Sequence, residues 1–315
     1  MPPAPHVIVG AGPIGSALAR LLADEAEQVI VVTRSGSARS LEGVTAVAAD
    51  ASDADALTRI AAGAAAIYNC ANPGDYTEWE RRWPPLASAL LAAAEATGAV
   101  LVTMSNLYGY GPVTAPMTAR TPLHPSDHKG ALRAAMWEDA RRAHEDGRVR
   151  ATEARASDYI GPTLPVASGL LARYAHSTLA AKTASVFADP DVPHAWTAID
   201  DVARTLATLG RDERAWGRPW LVPTNPAMSV RQALTDLSRA AGAPDPRLRV
   251  VPRWLLRVGG VFVPVLREVN GVLYQFDAPF EVDATETEAT FGIHPTDWDV
   301  LVSETARAWS KRLPA

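Results

Sequence analysis

Gly10, Gly12 and Gly15 follow the apolar run 6–9 and open a helical stretch, 13–23. A second apolar run, 28–32, returns at the distance a βαβ unit requires. Each glycine of this Gly-x-Gly-x-x-Gly turn has its own reason. The first permits a tight turn, the second lets backbone approach a pyrophosphate, and the third lets helix pack closely on strand. The loop, with Pro13 and Ile14 inside it, is therefore expected to cradle a dinucleotide. The free N–H groups and the positive end of the helix are expected to face its phosphates.

The chain has 315 residues, enough for one large α/β domain or a domain with a lobe. Net charge is -5 and no basic block occurs, which speaks against a nucleic-acid partner. The single cysteine, Cys70, excludes an intrachain disulfide and a Cys-x-x-Cys site. The N-terminus lacks a basic segment followed by a long apolar run, so a cytoplasmic protein is expected. Residues 255–266 are apolar, but Arg257, two glycines and Pro264 break a run already too short to span a bilayer. No metal is expected. His124 and His128 are four apart with Pro125 between them, and neither His-Glu-x-x-His nor a Cys/His cluster occurs. A Gly-x-Ser-x-Gly hydrolase elbow is also absent.

Strand runs at 6–9, 28–32, 44–48, 65–69, 100–104 and 149–155 alternate with helical runs at 13–23, 53–60, 83–97 and 130–144. Apolar strands with helical returns predict an α/β fold, a Rossmann-type doubly wound parallel sheet. After Gly161-Pro162 the segments shorten and prolines become frequent. A strand near 185–187, a helix over 200–209 and a strand over 220–222 are expected to rejoin the main domain. Ser229 is placed to cap a helix over 230–241. The apolar, aromatic stretch 254–276 and a helix over 298–309 complete a smaller mixed C-terminal lobe. The expected division is residues 1–160 plus 185–222 for the dinucleotide domain, and 161–184 plus 223–315 for a substrate-binding lobe.

The residue ending the second strand meets the adenosine ribose, and an acidic side chain there favours NAD. Here Thr33 is followed by Arg34 and Ser35, with Arg39 nearby. A guanidinium pairs with a 2′-phosphate, so NADPH is expected, with NAD as the alternative. Asp50 and Ala51 follow the third strand and are expected near the adenine edge. Cys70 and Ala71, after Asn69, leave room for the dinucleotide.

This pattern resembles the extended short-chain dehydrogenase/reductases, the group containing NAD-dependent sugar-nucleotide epimerases and dehydratases. The phosphate loop, Ser105-Asn106-Leu107-Tyr108-Gly109, Arg155 to Pro162, Ile199 to Ala203, and Asp283 with Phe291-Gly292 follow that group's motifs in order. The resemblance implies that Lys129 holds the nicotinamide ribose and that Tyr159 lies near nicotinamide. It also implies a homodimer through helices flanking the sheet. The catalytic pair departs from the pattern. The family's tyrosine precedes its lysine by four, where Pro125 stands, and its serine or threonine precedes Tyr108 by four, where Met104 stands. An acidic pair serves the sugar dehydratases where this chain has Ser105 and Asn106.

Ser105 is able to donate to a carbonyl, and Asn106 donates without acting as an acid. His124 or His128 is a candidate proton source near neutral pH. Nine tryptophans are many for this length. Trp79, Trp83, Tyr108, Trp196 and Tyr274 are candidates for the wall of an aromatic cleft. The double departure also resembles atypical ketoreductases of angucyclinone-like polyketides. The leading expectation is thus an NADPH-dependent ketoreductase of a bulky aromatic polyketide in antibiotic biosynthesis, with proton transfer assisted by a substrate hydroxyl. Its partner would be a hydrophobic aromatic small molecule. The alternatives are a sugar-nucleotide epimerase or dehydratase with displaced acid/base residues, and a non-catalytic NADP-binding sensor.

Overall fold

A computed structural model describes residues 4–37 and 42–313. Seven strands build the main sheet: β1 (His6–Val9), β2 (Val29–Thr33), β3 (Val44–Ala48), β4 (Ala66–Asn69), β5 (Val100–Asn106), β6 (Arg150–Ala156) and, later in the chain, β11 (Pro219–Leu221). Their order is β11-β6-β5-β4-β1-β2-β3, and every neighbouring pair is parallel. The order reverses between β1 and β4, creating the crevice where sheets of this type receive ligands. β1 and β4 are buried throughout, as strands covered on both faces must be.

The connecting helices are α1 (Pro13–Asp24), α2 (Ala54–Ile60), α3 (Trp79–Thr97) and α4 (His128–Glu145). Asp53 caps α2 by accepting from the Ala56 N–H. α3 starts four residues before the expected Trp83 and carries Pro84 and Pro85 internally. Trp79 and Trp83 lie one turn apart and are both almost fully buried, so packing outweighs the break the prolines signal.

Further along lie β7 (Asp158–Ile160), α5 (Leu170–Leu179), β8 (Ala184–Val186), β9 (Pro193–His194), β10 (Trp196–Ala198) and α6 (Ile199–Arg211). After β11 come β12 (Met228–Ser229), α7 (Val230–Ala240), β13 (Leu248–Val250), α8 (Arg253–Phe262), α9 (Pro264–Val272), α10 (Thr285–Phe291) and α11 (Trp298–Ser310). Ser229 caps α7 through the Gln232 N–H. β7 pairs with β10, β9 with β12, and β8 with β13. The strand expected near 185–187 thus joins β13 rather than the main sheet.

The chain divides into two compact units. The first holds residues 1–109, 128–156 and 202–222; the second holds 110–127, 157–201 and 223–315. The second unit has its own core around His194, which stacks on Phe276 at 4.2 Å and on Phe280 at 5.5 Å. α8 leaves Trp254, Val261 and Phe262 exposed, so part of the apolar stretch 254–276 lies at the surface. Among the described residues, no helix is long and apolar enough to cross a membrane.

Candidate active site

The phosphate loop joins β1 to α1, and its glycines are needed for three distinct reasons. Gly10 has φ +104, and a Cβ there would lie 2.8 Å from the Cys70 carbonyl oxygen. A Cβ on Gly15 would lie 2.0 Å from the Gly10 carbonyl oxygen. Gly12, by contrast, has φ -68, open to any residue, and a Cβ there would meet nothing within 4 Å. Its bareness serves nothing within the protein and leaves open space before the first turn of α1. Pro13 opens that helix, Ile14 and Gly15 follow, and the first turn carries no acidic side chain to repel phosphate.

At the end of β4, the buried Asn69 has an Oδ1 with no hydrogen-bond partner. Such an orphan next to the Gly10 turn is what a missing ligand donor leaves behind. Both the bare Gly12 and the orphan on Asn69 fit a bound dinucleotide. Cys70 beside it is inert, since burial pushes its thiol up to about 12. Ala71 contributes only backbone, against Gly10.

At the end of β2, Arg34 and Ser35 are exposed. Asp50, also exposed, accepts from the Ser52 N–H and hydroxyl, which hold its carboxyl below the usual range, and Arg34 adds to that effect. Ala51 is half-buried beside it. Arg39 lies outside the described residues.

Ser105 and Asn106 close β5, in register with Arg155 and Ala156 of β6. Their side chains have local employment. The Ser105 hydroxyl donates to Glu153, a carboxyl raised by burial against the opposing pull of Arg155, Arg133 and that serine. Arg155 Nε donates to Glu153 at 2.6 Å, with both residues almost fully buried. The Asn106 Oδ1 accepts from the Tyr108 N–H at 3.1 Å, making a turn.

The first turn of α4 presents Lys129, only 1% exposed although it is a lysine. Lys129, Arg133 and Trp137 recur every four residues on the buried face of this helix. Arg133 lies over Trp83 at 4.0 Å and over Trp79 at 5.0 Å. Trp79 stacks on Tyr108 and meets Tyr76 edge-on. The Tyr76 and Tyr108 hydroxyls are 3.0 Å apart, and the Lys129 ammonium lies 5.5 Å from the Tyr76 ring centre. Lys129, Tyr108, Trp79, Trp83, Ser105 and Asn106 thus all belong to the first unit, around the ends of β4 and β5.

His128 is exposed at the start of α4. In the second unit, His124 is exposed and Tyr159 stands in β7, in register with Thr197. Trp196 is buried, with its indole donating to the Met228 carbonyl, and Tyr274 is half-buried against Phe280. Burial, with Asp127 adding to it, raises the Tyr274 hydroxyl above the ordinary phenol range. Among the described residues, no group of three or more His, Cys, Asp and Glu could hold a metal.

Tyr76, Arg133 and Glu153 lie outside the residues expected from the sequence. For the first two the signal is present. Tyr76, Trp79 and Trp83 recur at helical spacing, and Arg133 follows Lys129 by one turn.

Sheet order, the switch point beside β1 and the glycine loop define an NAD(P)-dependent oxidoreductase of Rossmann type. The chain belongs to the NAD dependent epimerase/dehydratase family, which it matches over residues 6–219. No curated protein matches it. Among solved structures it is similar to UDP-glucose 4-epimerase from Thermotoga maritima with UDP-glucose, at 17% identity and TM-score 0.79, covering 98% of this chain and 100% of that one. It is similar to UDP-N-acetylglucosamine 4-epimerase from Methanobrevibacter ruminantium, at 14% identity and TM-score 0.81, covering 99% and 100%. A dTDP-glucose 4,6-dehydratase from Streptomyces venezuelae, with NAD and TYD bound, matches at 20% identity and TM-score 0.77, covering 98% and 97%.

These findings overturn the expected polyketide ketoreductase of antibiotic biosynthesis and its hydrophobic aromatic partner. The family and the solved neighbours are epimerases and dehydratases, and the ligands named with them are nucleotides and nucleotide sugars. The physical reason for the misreading is plain. Trp79, Trp83 and Trp196 are buried in packing, on Arg133 and on Met228, rather than lining an open aromatic cleft.

Proposed function

We propose that this protein moves a hydride between an NAD(P) cofactor and a hydroxyl-bearing carbon of a nucleoside-diphosphate sugar, as in 4-epimerisation. The observation that carries the reading is the family match across the glycine loop, β5 and Lys129. The glycine loop would hold the cofactor pyrophosphate, and Lys129 would orient the nicotinamide ribose. The bound nicotinamide supplies hydride chemistry, and the protein supplies position and field. Epimerisation is favoured over dehydration by the end of β5. Elimination of water needs an acid and base beyond the group that handles the hydroxyl proton, whereas Ser105 and Asn106 stand there without an ionisable group.

The cofactor preference we infer is NADP(H). Arg34 follows β2 at the adenosine end, where Thr33, Arg34 and Ser35 include no carboxylate, and would pair with the 2′-phosphate. Arg34→Ala should weaken NADPH by about tenfold, roughly the worth of one charge-assisted contact, and leave NADH unchanged. Equal losses for both would remove Arg34 from that role.

The substrate reading is tested by incubating the protein with UDP- and dTDP-hexoses and either cofactor. Sugar epimers are then resolved by proton NMR, and nucleotide binding is measured by calorimetry. Epimer formation is the expected result. Failure of UDP, dTDP and their sugars to bind would refute the reading.

A further inference from the structure

The family's proton-handling tyrosine is replaced here by Pro125, and Met104 stands where its serine or threonine would be. Hydride transfer to a carbonyl still leaves an alkoxide that needs a proton, so another donor must exist. Ser105 is turned to Glu153, Asn106 caps the turn to Tyr108, and His124 and His128 are exposed. The Tyr76 phenol lies beside the buried Lys129, and its hydroxyl is within hydrogen-bond distance of that of Tyr108.

We propose that the Tyr76–Tyr108 hydroxyl pair, backed by Lys129, is the proton donor and acceptor of this site. The inference rests on the proposed hydride chemistry and adds the residues that complete it. The two tyrosines come from separate segments, those following β4 and β5. These are adjacent strands whose C-terminal ends face the crevice. Their hydroxyls are 3.0 Å apart, within hydrogen-bond distance, and either is able to donate to the other. When either phenol gives up its proton, the other donates to the phenolate, and a bond to a charged acceptor is stronger than a neutral one. Lys129, almost fully buried and 5.5 Å from the Tyr76 ring, adds a fixed positive charge that favours the anion.

Neighbouring packing holds the pair in place. Trp79 meets both rings, its indole N–H donates to the Pro73 carbonyl at 2.8 Å, and Arg133 lies behind it. The segment of Tyr76 also carries Asp75 and Glu78. Asp75 is engaged by Thr77, and Glu78 by Arg81 and Arg82.

In the reducing direction, a bound reduced nicotinamide would supply the hydride that forms the new C–H bond at the carbonyl carbon. The C=O π pair becomes an alkoxide lone pair. That lone pair takes the hydroxyl proton of the tyrosine pair, whose O–H bond pair stays on oxygen as phenolate. The phenolate accepts from its partner hydroxyl and regains a proton from water. Oxidation runs the same steps backwards, with the phenolate taking the alcohol proton.

The test joins a readout on the free protein to one on turnover. Tyrosinate absorbance is followed against pH in the wild type, Tyr76→Phe, Tyr108→Phe and Lys129→Met, with circular dichroism checking that each folds. One phenol titrating below the ordinary tyrosine range in the wild type is expected. That titration should vanish in either Phe variant and move up in Lys129→Met. With a turned-over nucleotide sugar, each Phe variant should lose about 100-fold in kcat with KM little changed. A wild type in which every tyrosine titrates in the ordinary range or above overturns the proposal, as does a Phe variant with kcat within tenfold of wild type. If no UDP- or dTDP-sugar is turned over while the low titration responds to all three substitutions, the substrate reading falls and the tyrosine pair stands.

Discussion

Gly12 and Gly15 lie three residues apart in one loop, and the structure assigns them opposite consequences for the same added methyl group. At Gly15 an alanine Cβ would sit 2.0 Å from the Gly10 carbonyl oxygen, a backbone atom that no rotamer change is able to move aside. β1 and α1 must separate by more than an ångström to relieve it. Overpacking of this kind costs about 3 kcal/mol or more, because Gly15 is buried and the atom it meets is backbone. At Gly12 the Cβ would touch no protein atom, and φ -68 suits alanine. Alanine restricts the unfolded chain, a gain of about 0.5 kcal/mol, but it is a poorer N-cap than glycine by a similar amount. Stability should therefore change by less than about 1 kcal/mol. The methyl instead projects where the pyrophosphate must approach, and cofactor affinity should fall at least 30-fold, about 2 kcal/mol. Urea unfolding of both variants, beside NADPH and NADH titrations followed by nicotinamide fluorescence, separates the effects. A Gly12→Ala protein that binds cofactor normally, or that is destabilised as much as Gly15→Ala, would refute the reasoning.

Two further outcomes follow from buried histidines. His6 in β1 has a pKa lowered from 6.5, chiefly by burial, with Arg211 adding to the lowering and Glu27 opposing it. Its folded pKa lies below its unfolded one, so the stability it contributes is fully present above pH 6.5 and is lost as pH falls through the folded value. Urea midpoints at pH 7.5 and 5.5 should thus differ more in the wild type than in His6→Gln; parallel losses would exclude His6 as the source. His194 places Nε2 2.9 Å from Asp158 and Nδ1 3.1 Å from the Gln275 carbonyl, with Nδ1 donating to the latter. His194→Phe keeps the stacking on Phe276 but leaves the Gln275 carbonyl without its donor, and should cost about 2 kcal/mol in chemical denaturation. A loss under about 1 kcal/mol would mean that water satisfies it.

The sequence by itself determined the strands of the main sheet and the glycine turn between β1 and α1. β1, β3, α1 and α7 follow from local signals: short apolar runs, a glycine turn whose spacing has one use, and Ser229 as an N-cap. These are preferences of neighbouring residues, and they are complete within a few positions of the chain. The fate of the tryptophans was different. Composition counts aromatic rings but not whether they face a ligand or a guanidinium, and Arg133 meets Trp83 from another helix. The missing catalytic tyrosine likewise reads as a loss while positions are compared one by one along a motif. Only the tertiary structure carried Tyr76 and Tyr108, 32 residues apart, to within a hydrogen bond beside Lys129. Parallel pairing of β4 and β5 brings their C-terminal ends together, and that juxtaposition has no counterpart in local sequence.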